Sequence, residues 1–176
     1  MKLIPDTLTI IETFIQTRVK DAGAQGVVLG LSGGIDSATT LALAVSSLGS
    51  DKVKGLIMPF KESESISLAL DHANTLNVKT KEYSIASIVN SYKEVTPSYS
   101  STASEGNLHS RVRMSLLYGE AFSSNTLVMG TSNKSELLVG YYTKWGDGAS
   151  DFLPIGDLYK SQVYALATNL NIPEAI

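Results

Sequence analysis

Apolar positions along the 176 residues change their spacing repeatedly, and each change marks an element boundary. Leu8, Ile11, Ile15, Val19 and Ala22 recur at the period of one helix face, from Asp6 as N-cap until Gly23 ends the run. The pattern then tightens. Val27 to Leu31 is a short continuous apolar run, the mark of a buried strand, followed by a helix over Ala38 to Leu48 and a second strand over Lys54 to Phe60, ended by Pro59. Ile66, Ala69, Leu70, Ala73 and Leu76 share one face of a helix over 65–76, and Thr80 to Ile85 reads as a third, shorter strand. The Ser-rich segment 97–106 has no periodicity and reads as an exposed loop, with Asn107 capping a helix that reaches about Ser124. A strand over 126–130, a helix start at 131–133 and a glycine-punctuated loop from Gly140 to Gly156 follow. The last helix, Tyr159 to Leu170, turns Val163, Leu166, Ala167 and Leu170 inward and stops at Asn171-Ile172-Pro173. Alternation of strands and helices predicts an α/β domain with a doubly wound parallel sheet, which binds ligands at the carboxyl ends of its strands.

Composition narrows this picture. At 43% hydrophobic residues the chain suits one domain with a proper core. No apolar stretch approaches a membrane span and the N-terminus lacks signal-peptide design, so a soluble protein without membrane partners is expected. The absence of cysteine excludes disulfides, thiolate-held zinc and sulfur transfer through a C-x-x-C pair, and fits a cytoplasmic setting. A net charge of −3 provides no electrostatic footprint for nucleic acid.

The most informative segment is Ser32-Gly33-Gly34-Ile35-Asp36-Ser37, between the first strand and its helix. Two glycines let the backbone approach an anion, with free N–H groups and the positive end of the helix dipole directed at it, and the two serines add hydroxyl donors. Asp36 puts a carboxylate into this anion-attracting turn, which makes sense mainly if a hard cation such as magnesium sits between carboxylate and phosphates. A glycine turn that merely links strand to helix is the competing reading. No lysine follows the glycines as a Walker loop requires, and the pattern is not G-x-G-x-x-G. It resembles the pyrophosphate loop of the ATP pyrophosphatases, which cleave ATP between the α- and β-phosphates and adenylate an acyl or carbonyl oxygen. That resemblance implies an adenine nucleotide α-hydrolase-like, Rossmann-like fold.

Four further segments follow in order: Asn107-Leu108-His109-Ser110-Arg111-Val112-Arg113-Met114, Gly130-Thr131-Ser132-Asn133-Lys134-Ser135-Glu136, Gly140-Tyr141-Tyr142-Thr143-Lys144-Trp145-Gly146-Asp147-Gly148, and Pro154-Ile155-Gly156-Asp157-Leu158-Tyr159-Lys160. Together they resemble the ammonia-dependent NAD synthetase family over essentially the whole chain. The resemblance implies ATP-dependent amidation of deamido-NAD by ammonia through an acyl adenylate, with release of AMP and pyrophosphate. It places ATP on Gly30, Leu31, Ser32, Gly33, Gly34, Ile35, Asp36 and Ser37, with Thr131 and Lys160 also meeting ATP. Magnesium would be held by Asp36 and Glu136; Asp36, Glu136 and Lys160 would carry the chemistry, and Arg113, Lys144 and Asp151 would contact deamido-NAD. Arg111, two residues from Arg113, cannot share its helix face and is read as a partner for ATP phosphate or a neighbouring acid.

The family is homodimeric, with part of the shared surface on the helix over 107–124. Its apolar positions Val112, Met114, Leu116, Leu117 and Phe122 cover more than one face, which suits packing on both sheet and partner or burial in one core. The family usually continues past Ile176 with a closing loop and a C-terminal tail, so a shortened form is expected here. Ammonia would arrive free or from a separate protein. Two alternatives stand beside this reading: an ATP-binding module of the same loop class without turnover, and another adenylating ligase. His72 and His109 each lack a second ligand nearby in sequence and are not read as metal ligands. Trp145 is read equally as a stacking or a packing residue.

Overall fold

The computed structural model describes residues 2–176 and contains one parallel sheet with helices on both faces. Strand β1 (Val27–Gly30) lies between β2 (Val53–Ile57) and β4 (Leu127–Val128), with β3 (Lys79–Glu82) outside β2, so the order is β3-β2-β1-β4. The register pairs Val27 with both Val53 and Leu127. Since β1 is paired on both edges and covered on both faces, it must be apolar at every position rather than at alternate ones. Val27, Val28 and Leu29 are completely buried.

The strand pleat divides these residues between two cores. Val27, Leu29, Val53, Ile57 and Met129 face helices α1 (Thr7–Asp21), α2 (Ile35–Leu48), α3 (Glu64–Thr75) and α7 (Lys160–Asn169), through Ile15, Leu41, Ala73 and Leu166 among others. Val28, Leu56, Met58 and Val128 face α4 (Ala86–Val95) and α5 (Thr102–Ser124), through Val89, Leu108, Val112 and Ala121. The expected doubly wound arrangement is thus observed.

Several boundaries differ from those expected. Helix α2 begins at Ile35 rather than Ala38, because Gly33 turns the chain at φ 79° and Gly34 serves as an extended N-cap. Asp36 and Ser37 therefore stand in the first turn of α2. Strand β3 ends at Glu82, although Tyr83 N–H and Ile85 N–H still donate to the carbonyls of Ile57 and Pro59, at 2.9 Å each. Helix α4 is absent from the expected elements although Ile85, Ile88, Val89 and Tyr92 stand at helical spacing: only Val89 of its residues is buried, while Ile88, Tyr92 and Val95 are exposed.

The Ser-rich segment is not wholly loop. Residues Pro97–Tyr99 form a 3-10 turn, and α5 starts at Thr102 with the Ser101 hydroxyl accepting from Ser104 N–H at 3.2 Å. Serine disfavours helix interiors but serves well as a cap, so a Ser-rich stretch disguises a helix start as a loop. Asn107 lies inside α5 and accepts from the Thr143 hydroxyl at 2.7 Å instead of capping. Strand β4 is only two residues long. Its outer edge is completed by Asp151 and Phe152, through Asp151 N–H to the Val128 carbonyl and Gly130 N–H to the Phe152 carbonyl.

Candidate active site

The chain leaves β1 with Leu31 N–H still bonded to the Leu56 carbonyl at 2.8 Å, then turns sharply. Gly33 is required twice over at this turn. Its φ of 79° disfavours any side chain, and a Cβ there would stand 2.1 Å from the Ser65 carbonyl oxygen. The turn is closed by its own hydroxyls: Ser37 donates to the Gly34 carbonyl at 2.9 Å and lies 3.1 Å from the Ser32 hydroxyl, which accepts from Gly34 N–H. The N-terminus of α2 begins at once, so its partial positive charge stands at the mouth of the turn. Beneath it, His72 lies 3.1 Å from the Ala38 carbonyl through Nε2. A carbonyl only accepts, so Nε2 carries the proton; burial holds this imidazole below its ordinary pKa and keeps it neutral.

Above the carboxyl ends of β1, β2 and β4 opens a cleft of about 610 Å³. This is where a parallel α/β sheet binds ligands. Its walls include Gly30 to Ser32 from the turn, Met58 and Phe60 after β2, Arg113 and Leu117 from α5, and Thr131 after β4. His109 stacks on Phe60 with ring centroids 4.4 Å apart, so the two form one wall. Size and mixed lining suit a nucleoside-sized ligand.

A network of polar side chains joins the turn to two other elements. The Lys160 ammonium at the start of α7 is ion-paired with Asp36 through Oδ2. Asp36 Oδ1 accepts from Nδ2 of Asn133 at 3.2 Å. Asn133, completely buried, is the N-cap of α6 (Lys134–Val139): its Oδ1 accepts from Glu136 N–H, and Glu136 Oε2 accepts from Asn133 N–H, both at 3.1 Å. Lys160 N–H donates to the Ser135 hydroxyl at 3.0 Å, so α6 and α7 are joined beside the same carboxylate. Asp36, Glu136 and Lys160, more than a hundred positions apart at the extremes, are thus brought into one connected group.

Asp36, Glu136 and Lys160 do not themselves line the cleft, and the other residues singled out in the sequence are divided between its wall and the surface beyond it. Arg113 lines the cleft and donates through Nε to the Met58 carbonyl at 2.9 Å; burial lowers its pKa, opposed by the Asp147 carboxylate. Arg111 points to a different neighbour, donating through Nε to the Lys144 carbonyl at 3.3 Å. Lys144 and Trp145 are exposed, the ammonium 5.6 Å from the indole centroid, and Trp145 adopts a left-handed φ of 59°. Asp151 has a task within the fold: its Oδ2 accepts from Val128 N–H at 2.7 Å on the outer edge of β4. Neither Lys144 nor Asp151 lines the cleft.

A family model described as NAD synthase matches residues 7–176. The chain belongs to the NAD synthase family. It is 45% identical to the NH(3)-dependent NAD(+) synthetase of Thermococcus sibiricus over 96% of its own length and 66% of that protein. Among solved structures, the NH3-dependent NAD synthetase of Campylobacter jejuni superposes with a TM-score of 0.92 at 45% identity, over 96% of this chain and 74% of that one. The NMN synthetase of Francisella tularensis superposes at 0.90 with 34% identity, over 96% and 71%. The chain spans just under two thirds of the length of the Thermococcus relative.

NAD synthase family membership concerns the whole chain; the geometry adds residues that the sequence reading did not assign to the site. Met58, Phe60, His109 and Leu117 line the cleft, and Asn133 ties Asp36 to Glu136. For Asn133 a signal was available, since Asn-x-x-Glu before a helix is the pattern of a capping box. The cleft walls had none, because only the parallel crossovers bring these positions together.

Proposed function

We propose that this chain catalyses the ATP-dependent amidation of deamido-NAD by ammonia. The observation that carries this reading is the junction of the pyrophosphate-type turn with Lys160, Asn133 and Glu136 beside a nucleoside-sized cleft, in a member of the NAD synthase family. In this reading Gly30 to Ser37 and Thr131 receive ATP, and residues 1–176 act as one ATP pyrophosphatase-like unit. Lys160 supplies a point charge to the phosphates. Arg113, Lys144 and Asp151 are assigned to deamido-NAD. A homodimer sharing the α5 surface and a cytoplasmic setting belong to the same reading; Phe122, 93% exposed on α5, supports a covered helix face.

The reaction has two displacements. A nicotinate carboxylate oxygen attacks the α-phosphorus of ATP, the bond to the bridging oxygen breaks, and pyrophosphate leaves. Ammonia then attacks the acyl carbon, loses a proton and expels AMP, giving the amide. Adenylation is needed because a carboxylate has no acceptable leaving group. The protein contributes placement and charge neutralisation, and no protein nucleophile is required.

The residues fit a magnesium ion that arrives with ATP. No group of three or more acids and histidines suited to a metal exists among the described residues, and magnesium is ordinarily held by one or two carboxylates plus phosphates and water. Asp36 Oδ2 already faces a cation, the Lys160 ammonium, and Glu136 Oε1 has no hydrogen-bond partner among the described residues. These two oxygens would hold the ion, which when bound supplies neutralisation of the pyrophosphate charge.

ATP–pyrophosphate exchange by the purified chain, with magnesium and with or without deamido-NAD, tests the proposal. Exchange that requires deamido-NAD is expected. One structural relative is an NMN synthetase, so the corresponding mononucleotide acid is compared in the same assay. Exchange that prefers the mononucleotide, or none with either acid, overturns the assignment.

A further inference from the structure

Asn133 is completely buried, and both ends of its amide are committed. Its Oδ1 accepts from a backbone N–H, that of Glu136, which leaves Nδ2 as the end that faces Asp36. The side chain therefore has one orientation only. Its contacts also divide the two carboxylates in the same way. Asn133 engages Oδ1 of Asp36 through its side chain and Oε2 of Glu136 through its backbone N–H. The opposite oxygens, Asp36 Oδ2 and Glu136 Oε1, are not held by it. One of these carries the Lys160 ammonium and the other has no hydrogen-bond partner among the described residues.

The geometry points to Asn133 as the positioning residue of the magnesium site: it engages one oxygen of each carboxylate and leaves the other oxygen of each for a cation. This rests on the metal assignment of the proposed function. Asp36 on α2 and Glu136 on α6 come from separate elements, and Asn133 contacts them both. Asn133 does this with neutral donors, so it orients both without competing for the ion. Its amide engages the Asp36 oxygen opposite the one paired with Lys160. Partners that orient metal ligands are worth roughly 10–100-fold in metal affinity.

The test uses Asn133→Ser and Asn133→Thr. Both retain an oxygen acceptor suited to the N-cap, and neither side chain carries the amide donor that reaches Asp36. Folding of each is checked by thermal unfolding, and the variant that keeps the native Tm to within a few degrees is used. Free manganese is measured by electron paramagnetic resonance with the non-cleavable nucleotide α,β-methylene-ATP, for the native chain, the chosen variant and Asp36→Asn. The expected result is manganese affinity in the ternary complex about tenfold weaker in the Asn133 variant, with binding of metal-free nucleotide unchanged. In exchange assays its half-saturating magnesium rises while the rate at saturating magnesium is largely recovered. If Asp36→Asn weakens manganese binding and the Asn133 variant does not, the positioning role is wrong and the metal assignment stands. If Asp36→Asn also leaves it unchanged, both fall. Loss of native folding in both Asn133 variants makes the residue a cap essential to the fold and likewise overturns the separate positioning role.

Discussion

Two carboxylates in this molecule are paired with lysine, and their surroundings differ in an instructive way. Glu120, on the penultimate turn of α5, is taken by Lys81 at 2.8 Å, Lys54 at 3.5 Å and the Tyr83 hydroxyl at 3.5 Å. Its side chain is 8% exposed, and every contact comes from a strand, or the end of a strand, that α5 covers. Asp36 has one partner on each oxygen, Lys160 and Asn133, and each comes from an element that meets α2 beside the mouth of the turn. The Glu120 cluster has no oxygen left for a ligand and joins α5 to the β2-β3 edge. In the proposed function the Lys160 contact of Asp36 gives way to phosphate and cation, while the Asn133 contact is kept. A lysine–carboxylate pair thus joins a helix to a strand edge in one place and, in the proposed function, opens to a ligand in the other.

The comparison breaks most visibly at Asp36. Asp36→Ala is expected to lower magnesium-dependent ATP–pyrophosphate exchange by at least about 100-fold while leaving Tm nearly unchanged; near-native exchange in a folded variant would remove the metal assignment. Gly33→Ala should act on both sides of the comparison, because the new Cβ meets the Ser65 carbonyl at 2.1 Å and the left-handed φ is strained. About tenfold weaker ATP binding together with a lower Tm is expected, read by calorimetry of nucleotide titration and of unfolding. A fall in neither quantity would show that the turn tolerates reshaping.

Glu120→Gln should do the converse of Asp36→Ala: Tm lower by about 3 °C, with exchange unchanged. A loss of exchange at native Tm would connect this cluster to the site. The smallest effect is its pH dependence. Lys81, chiefly by hydrogen bonding, holds the Glu120 carboxyl below its ordinary value of 4.5, with Lys54 adding to the effect. The stabilisation it contributes is present above that value and is lost as pH falls through the native one. The Tm difference between the native chain and Glu120→Gln should therefore shrink as pH is lowered from about 6 to about 3. Lys81 is shifted the other way, above 10.5, so its share is complete below that value and is lost in stronger alkali. A Tm gap that widened on acidification would reverse the assigned sign.

Much of this architecture was readable where burial is complete. The run Val27 to Leu31 marks the central strand because it must be apolar on both faces, and the helices that bury a periodic face, α1, α3 and α7, follow from spacing. Helix α4 was missed although Ile85, Ile88, Val89 and Tyr92 stand at helical spacing; it is short and buries Val89 alone, leaving Ile88, Tyr92 and Val95 partly or wholly in solvent. The start of α5 was hidden by serines that cap rather than fill a helix. The turn at Gly33 could be read as an anion site from glycine, serine and aspartate alone. What joins it to Glu136 could not, because Asn133 reaches Asp36 across 97 positions. For Asp151 the resemblance implies a contact to deamido-NAD, whereas its hydrogen bond to the edge of β4 exists only after folding and could not be read from the sequence.

That contact at β4 has a consequence for the protein in concentrated solution. A short edge strand exposes backbone donors and acceptors that invite pairing with another chain. Here the outward N–H and carbonyl of Val128 are both taken by Asp151, and Gly130 N–H by Phe152. The opposite edge, Lys79-Thr80-Lys81-Glu82, bears three charges in four residues. Both margins of the sheet thus resist strand-to-strand aggregation, and removing the Asp151 carboxylate would leave the Val128 N–H unpaired at one of them.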